Sequence, residues 1–443
     1  MNNSKTFCPI PWIFQAVRNN GDIRICCQAN LTKNKGVVRH KDGTPYNAAR
    51  DNLEDARNAD LMKTVRNNML NGVWSEECTR CKTEEEAGLN SRRQYEQLNF
   101  PKFTVDKAER YTTADGSIKN PAVSYYDLRF GNMCNLACRM CGPTDSHTWY
   151  EQWVDYHNDN GYDDTHGRVT LKRNNKGRLF TNDYDWHGGE LFWNSIEENI
   201  PNIRHVYMAG GEPMMIARHY EFLQKCIDMD AAKHIIIEYN TNMTNLPDRV
   251  LKMWESFQQV RVGASIDGFG DMVEYQRWPL KWNLAYKNLQ KLDDACVANP
   301  KIQAWLACTV TAYNVFHIPE FMWWKEKESN FKKINHTKRR PLISHHVAHG
   351  PKRTNIKTLP TEMKQKLTEH YATWIHKFNT DNSMSANTKE KAASILNSIL
   401  SFAYAEDYAD DHLEEFIRFT THFDKARKQS IVDVVPEYAE LFL

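Results

Sequence analysis

The chain has 443 residues, more than one compact core usually supports, and its 41% hydrophobic and 12% aromatic content is ample for burial. With 57 Lys and Arg against 56 Asp and Glu, the formal net charge of +1 excludes a strong long-range pull toward nucleic acid or an anionic membrane. No apolar run approaches the roughly 18 residues of a membrane span. The N-terminal stretch is broken by Pro, Asn and Arg and has no small-residue cleavage site, so a cytoplasmic protein is expected.

Residues 1–105 carry Cys8, Cys26, Cys27, Cys78 and Cys81. A reducing compartment keeps thiols free, so these read as metal ligands and not as disulfides. "GDIRICCQ" predicts a short strand entered through a glycine turn. "LEDARNADLMKTVRNNML" predicts a helix leading toward Cys78, and "KTEEEAGLNSRRQYEQL" a second one after Cys81.

From about residue 120 short apolar strands alternate with amphipathic segments. "AVSYYDLRF", "RHVYMAG", "HIIIEYN", "QVRVGASI", "IQAWLACTV" and "PLISHHVAH" are six strand candidates. Read as buried on both faces, they predict a parallel α/β sheet, open or rolled into a barrel, over residues 120–360. Residues 144–200 interrupt the alternation with a polar excursion. From residue 361 to 443 the chain reads helical, with apolar stripes Met363–Leu367–Tyr371–Phe378 and Ile395–Leu396–Ile399 expected to be packing faces. Isolated Cys226, Cys296 and Cys308 read as buried small hydrophobes.

The segment Gly131–Pro143, "GNMCNLACRMCGP", puts Cys134, Cys138 and Cys141 on the loop after the first of those six strands. Three thiolates leave a tetrahedral zinc open, to be completed by a distant Cys or His such as His147. A cubane iron–sulfur cluster on three cysteines leaves one iron free to bind a small molecule. Chemistry in such sheets gathers at the carboxyl ends of strands, and further polar groups fall there in order. Gly210, Gly211 and Glu212 follow the second strand, Asn240 and Asn242 the third, and Ser265 and Asp267 the fourth. Gly188–Gly189–Glu190 has no strand before it and is a decoy.

These motifs resemble the radical S-adenosylmethionine superfamily over about residues 120–360. The resemblance implies a partial (β/α)6 TIM-like barrel with a [4Fe–4S] cluster on Cys134, Cys138 and Cys141, whose fourth iron is chelated by S-adenosyl-L-methionine. Gly210, Gly211 and Glu212 would hold the amino group, and Asn242, Ser265 and Asp267 the ribose and nearby atoms. Met140 departs from the aromatic residue the family often has before the last cysteine. Cys8, Gly21-x4-Cys26 and Cys78-x-x-Cys81 resemble the auxiliary-cluster domains of the SPASM and twitch subfamilies, with Cys27 a spare or substitute and the domain unusually placed before the barrel. That implies an auxiliary iron–sulfur cluster on Cys8, Cys26, Cys78 and Cys81, with structural zinc the alternative. The expected activity is reductive cleavage of S-adenosylmethionine, then hydrogen abstraction from a small-molecule or peptide substrate, with an external donor such as flavodoxin or ferredoxin. The other class considered is a non-catalytic zinc or iron–sulfur protein acting through a partner. His345, His346 and His349 form a weaker metal signal. Lys332, Lys333, Lys338, Arg339, Arg340, Lys352 and Arg353 suggest an anionic substrate.

Overall fold

A computed structural model describes residues 5–29, 36–86, 90–119, 122–160, 169–335 and 342–442. The chain divides into two compact units. The first is Met1–Met133, Thr181–Glu238 and Ser256–Gln258; the second is Cys134–Phe180, Tyr239–Glu255 and Gln259–Leu443. These units cut across the segments 1–105, 120–360 and 361–443 suggested by composition.

The fold class is α/β, as the sequence led one to expect. In chain order the strands are β1 (Phe14–Val17), β2 (Ile23–Arg24), β3 (Tyr125–Arg129), β4 (Lys172–Arg173), β5 (Leu179–Phe180), β6 (His205–Ala209), β7 (Ile236–Thr241), β8 (Gln259–Ser265), β9 (Ile302–Val310) and β10 (Ser344–Val347). β4 and β5 form a small hairpin inside the polar excursion, and the other eight build a mostly parallel sheet. β7 gives its first residues to one unit and its last to the other.

In the first unit β6 and β1 flank β3, both parallel to it, and the short β2 adds antiparallel to β1. In the second, β9 lies parallel between β8 and β10. All six strands read from the sequence are present. β1 was not foreseen; it carries the N-terminal cysteine segment to the edge of β3.

β7, β8 and β9 largely alternate between buried and half-buried residues, correcting for them the reading that both faces are buried, whereas β1 and the first four residues of β3 are buried on both faces. Leu128, Val206, Met208, Ile237, Val262, Leu306 and Val310 are fully buried. Their neighbours Arg129, Tyr207, Glu238, Arg261, Trp305 and Thr309 are only half-buried. A period of two with one apolar face means that helices cover one side, while the other keeps polar groups where a ligand can reach them. The 17-residue helix Trp282–Ala298 supplies such cover, packing on β9 and burying Ala285, Leu289, Leu292 and Cys296.

The helix expected over residues 53–70 is two, Leu53–Arg57 and Asp60–Leu70. Asn58 and Ala59 break it, and Asn52 caps the first by accepting from the Glu54 N–H. The helix Arg92–Asn99 opens with a capping box in which Ser91 and Gln94 satisfy each other's backbone. At the C-terminus three long helices follow, Thr361–Thr380, Ala386–Tyr404 and Ala409–Arg427. The second starts at a Ser385 cap, whose side chain accepts from the Thr388 N–H. Among the described residues no helix is long and apolar enough to cross a membrane.

Candidate functional site

In the first unit Cys8, Cys26 and the Cys78–Cys81 pair, from three separate stretches of sequence, line one cavity. Local structure explains how they meet. Gly21, at φ +85°, turns the chain into β2 just before Cys26, and an added Cβ there would stand 2.7 Å from Asn47 Oδ1. Cys78 ends a 3-10 turn and Cys81 lies in the first turn of helix Thr79–Glu86. Arg93 ties the segment before Cys8 to that helix: it pairs with Glu85 and its Nη1 donates to Phe7 O at 3.0 Å.

Burial pushes the Cys78 thiol up to about 12 and raises Cys8 and Cys81 as well. Cys26 is raised first by its hydrogen bond with Cys27 and then by burial. Four thiols that resist ionising alone around an apolar cavity form a donor set that a metal centre, not water, would stabilise. Cys27 does not line this cavity. It hydrogen-bonds with Cys26, and its charged neighbours are Arg92, Asp127 and Arg129.

The second unit holds the cysteine trio. Cys134 and Cys138 are buried and Cys141 half-buried. The loop is held by its backbone. Cys134 N–H donates to His147 Nδ1 at 3.2 Å, and Cys134 O accepts from Thr148 Oγ1 at 2.5 Å. Cys138 O accepts from Trp149 Nε1 at 3.2 Å. Ala137 and Arg139 N–H donate to Trp278 O and Gln276 O at 2.7 and 2.8 Å. The His147 nitrogen nearest the trio is thus engaged with backbone, which weakens it as a fourth zinc ligand.

Asn242, 6% exposed, donates to Cys134 Sγ at 3.7 Å and to Asn135 Oδ1 at 3.0 Å. Cys138 is held below the usual thiol range first by a hydrogen bond from Cys141 and then by the charges of Arg277 and Arg427. Ser265 ends β8 half-buried. Asp267 is fully buried: it pairs with Arg277 Nε at 2.7 Å, and its Oδ1 accepts from Thr309 N at 2.7 Å. With both carboxylate oxygens engaged, Asp267 holds Arg277 in place. Nothing in the sequence marked Arg277 or Arg427 as neighbours of the trio.

Gly210, Gly211 and Glu212 belong to the first unit. Both glycines are left-handed, at φ +77° and +50°. A Cβ on Gly211 would come 2.4 Å from Met133 O, and Glu212 N–H donates to that same oxygen at 2.7 Å. The segment is therefore laid backbone-to-backbone on the residue that precedes Cys134. Glu212 is 1% exposed, with Oε1 accepting from Met214 N at 3.1 Å. Glu190 of the decoy opens helix Glu190–Asn199 and pairs with Arg218.

Among the described residues no three His, Cys, Asp or Glu side chains meet closely enough for a single metal ion, so neither thiol set is a closed single-ion cage as it stands. His345 pairs with Ser398 Oγ at 3.2 Å. Of the basic residues, Arg353 is buried against Phe419 and Glu415, while Lys338, Arg339 and Arg340 lie outside the described residues.

No family model matches the chain, and no curated protein matches it. Solved structures with a similar arrangement include native anSMEcpe with bound AdoMet, at 17% identity and a TM-score of 0.35, covering 59% of this chain and 63% of that one. Streptococcus suis SuiB bound to S-adenosylmethionine is similar at 13% identity and a TM-score of 0.32, covering 76% of this chain and 68% of that one. SuiB bound to its precursor peptide SuiA gives 12% and 0.31. This chain spans 63% of the length of the anSMEcpe chain. The functional reading therefore rests on the residues of this chain.

Proposed function

We propose that this protein is a radical S-adenosylmethionine enzyme, with a [4Fe–4S] cluster on Cys134, Cys138 and Cys141 and an auxiliary iron–sulfur cluster on Cys8, Cys26, Cys78 and Cys81. The observation that carries the reading is the loop after β3. It gathers three thiols and no fourth cysteine, and two buried arginines act on Cys138, of which Arg277 is paired with Asp267 and Arg427 has no carboxylate partner among the described residues. The donor sets fit the groups assigned to them. Both are thiolate-rich, the soft-ligand chemistry that iron–sulfur clusters select. When bound, the three-cysteine cluster supplies an electron that splits the sulfonium carbon–sulfur bond of S-adenosylmethionine, yielding methionine and a 5′-deoxyadenosyl radical that takes hydrogen from the substrate.

The protein's part is to bind, orient and exclude water. Gly210 and Gly211 clear the space a Cβ would fill, and the Glu212 carboxylate is suited to an ammonium group. Asn242 donates to Cys134 Sγ and so steadies its thiolate. The Ser265 hydroxyl is suited to ribose, and Asp267 contributes through the Arg277 it fixes. The substrate is a peptide or a small molecule, with a one-electron donor of the flavodoxin or ferredoxin kind.

Anaerobic reconstitution tests the reading. Brown protein should hold about eight irons, four for each [4Fe–4S] cluster, and form 5′-deoxyadenosine under reduction. Replacing all three trio cysteines by Ala should remove half of the iron and all of the cleavage; surviving cleavage refutes the assignment. Zinc on Cys8, Cys26, Cys78 and Cys81 is the second reading, favoured by the count of four thiols on one cavity. Metal analysis separates the two, and colourless zinc protein would point to the non-catalytic class.

A further inference from the structure

Behind the cysteine trio the second unit buries a cation that has no carboxylate partner among the described residues. Arg427, in the last turn of helix Ala409–Arg427, is 8% exposed. Its guanidinium carbon lies 4.6 Å from the Trp149 ring and 4.8 Å from that of Trp278. Nε and Nη2 donate to Gln152 Oε1 at 3.1 and 2.8 Å, and Nη1 has no partner among the described residues. Both tryptophans are anchors of the cysteine loop, Trp149 through Cys138 O and Trp278 through Ala137 N. Cys141 packs against the aromatic cluster of Trp149, Phe419 and Phe423.

The neighbouring cations are matched. Arg277 has Asp267 at 2.7 Å. Arg139, wholly buried between two of the cysteines, has Asp424 at 2.6 Å, an aspartate on the same helix as Arg427. Of these three guanidiniums, Arg427 alone has no carboxylate partner among the described residues. A desolvated charge persists only when something of opposite sign offsets it, and arginine does not escape by losing its proton.

We propose that Arg427 is the counter-cation of the metal centre on Cys134, Cys138 and Cys141, so that the C-terminal helix sets how readily that centre accepts an electron. This rests on the cluster reading above. The step is one electron passing from the external donor to the centre. No bond forms or breaks, and the added negative charge is stabilised by the guanidinium. Asp424, of opposite sign on the same helix, opposes it.

The test is a potentiometric titration of the full-length, anaerobically reconstituted protein. It follows the electron paramagnetic resonance signal that S-adenosylmethionine perturbs. Arg427→Met should make the centre harder to reduce, by about tenfold in the reduction equilibrium, or about 59 mV for a one-electron couple. Arg427→Lys should stay near the parent. Asp424→Asn should move the midpoint the other way. Loosened packing would shift both neutralised variants together, so opposite signs support the charge account; a common direction, or no shift, overturns it. Arg427→Gln serves the same comparison if the Met variant does not fold. A parent protein with no S-adenosylmethionine-sensitive signal overturns the cluster reading too, whereas a normal signal with a charge-insensitive midpoint overturns this inference alone.

Discussion

Gly211 combines a left-handed backbone with a close approach to Met133 O, so both conformation and space forbid a side chain. Gly211→Ala should destabilise the fold by about 1–3 kcal/mol and weaken S-adenosylmethionine binding as Glu212 shifts; thermal melting and calorimetry read the two effects. At Asp267 the chemistry is different. Removing a carboxylate that holds a buried guanidinium leaves the cation unpaired, so Asp267→Ala should cost about 3–5 kcal/mol in denaturant unfolding. A variant as stable as the parent would mean that Arg277 finds another partner. The sequence offered Asp267 as a strand-end polar group. It could not tell that its oxygens meet Arg277 and Thr309, because those contacts depend on the strand–helix packing around β9.

The elements were unequally legible. Six apolar runs bounded by turn residues announced β3 and β6 to β10, because a buried strand writes its hydrophobicity locally. β1 is four residues long and becomes a strand only by pairing with β3, a contact more than a hundred residues away in the chain. Helix Ala409–Arg427 lies in the stretch from residue 361 that read as helical. Its Phe416, Phe419 and Phe423 stripe is an ordinary packing signal, and nothing in the sequence says that it packs behind the cysteine loop. Phe423→Ala should therefore cost about 3–5 kcal/mol and also speed loss of iron from the trio, followed by the bleaching of the visible absorbance. Unchanged bleaching would separate the helix from the site.

Across the molecule the eleven cysteines sort by surroundings. Burial pushes Cys226 and Cys296 up to about 12 and raises Cys308 too. They are at most 4% exposed, in keeping with their reading as small hydrophobes. In native protein all three should resist iodoacetamide at pH 8 and react once the chain is unfolded in guanidinium, as peptide mass mapping would record; fast native labelling would argue against that packing. Cys78→Ala with Cys81→Ala should remove the auxiliary metal while leaving the trio's signal in place. The two cysteine sets were legible because their spacing is local in the sequence. Which charges surround each centre was not, since those arrive from distant segments.

The Arg139–Asp424 pair joins positions 285 residues apart, whereas the four thiols of the other cavity all lie within the first 81 residues. A ribosome releases the chain from its N-terminus, so the early pocket can close while synthesis continues. The trio's loop lacks its clamp until helix Ala409–Arg427 has emerged. The two centres should mature in sequence, and the one assigned to the chemistry should be filled last.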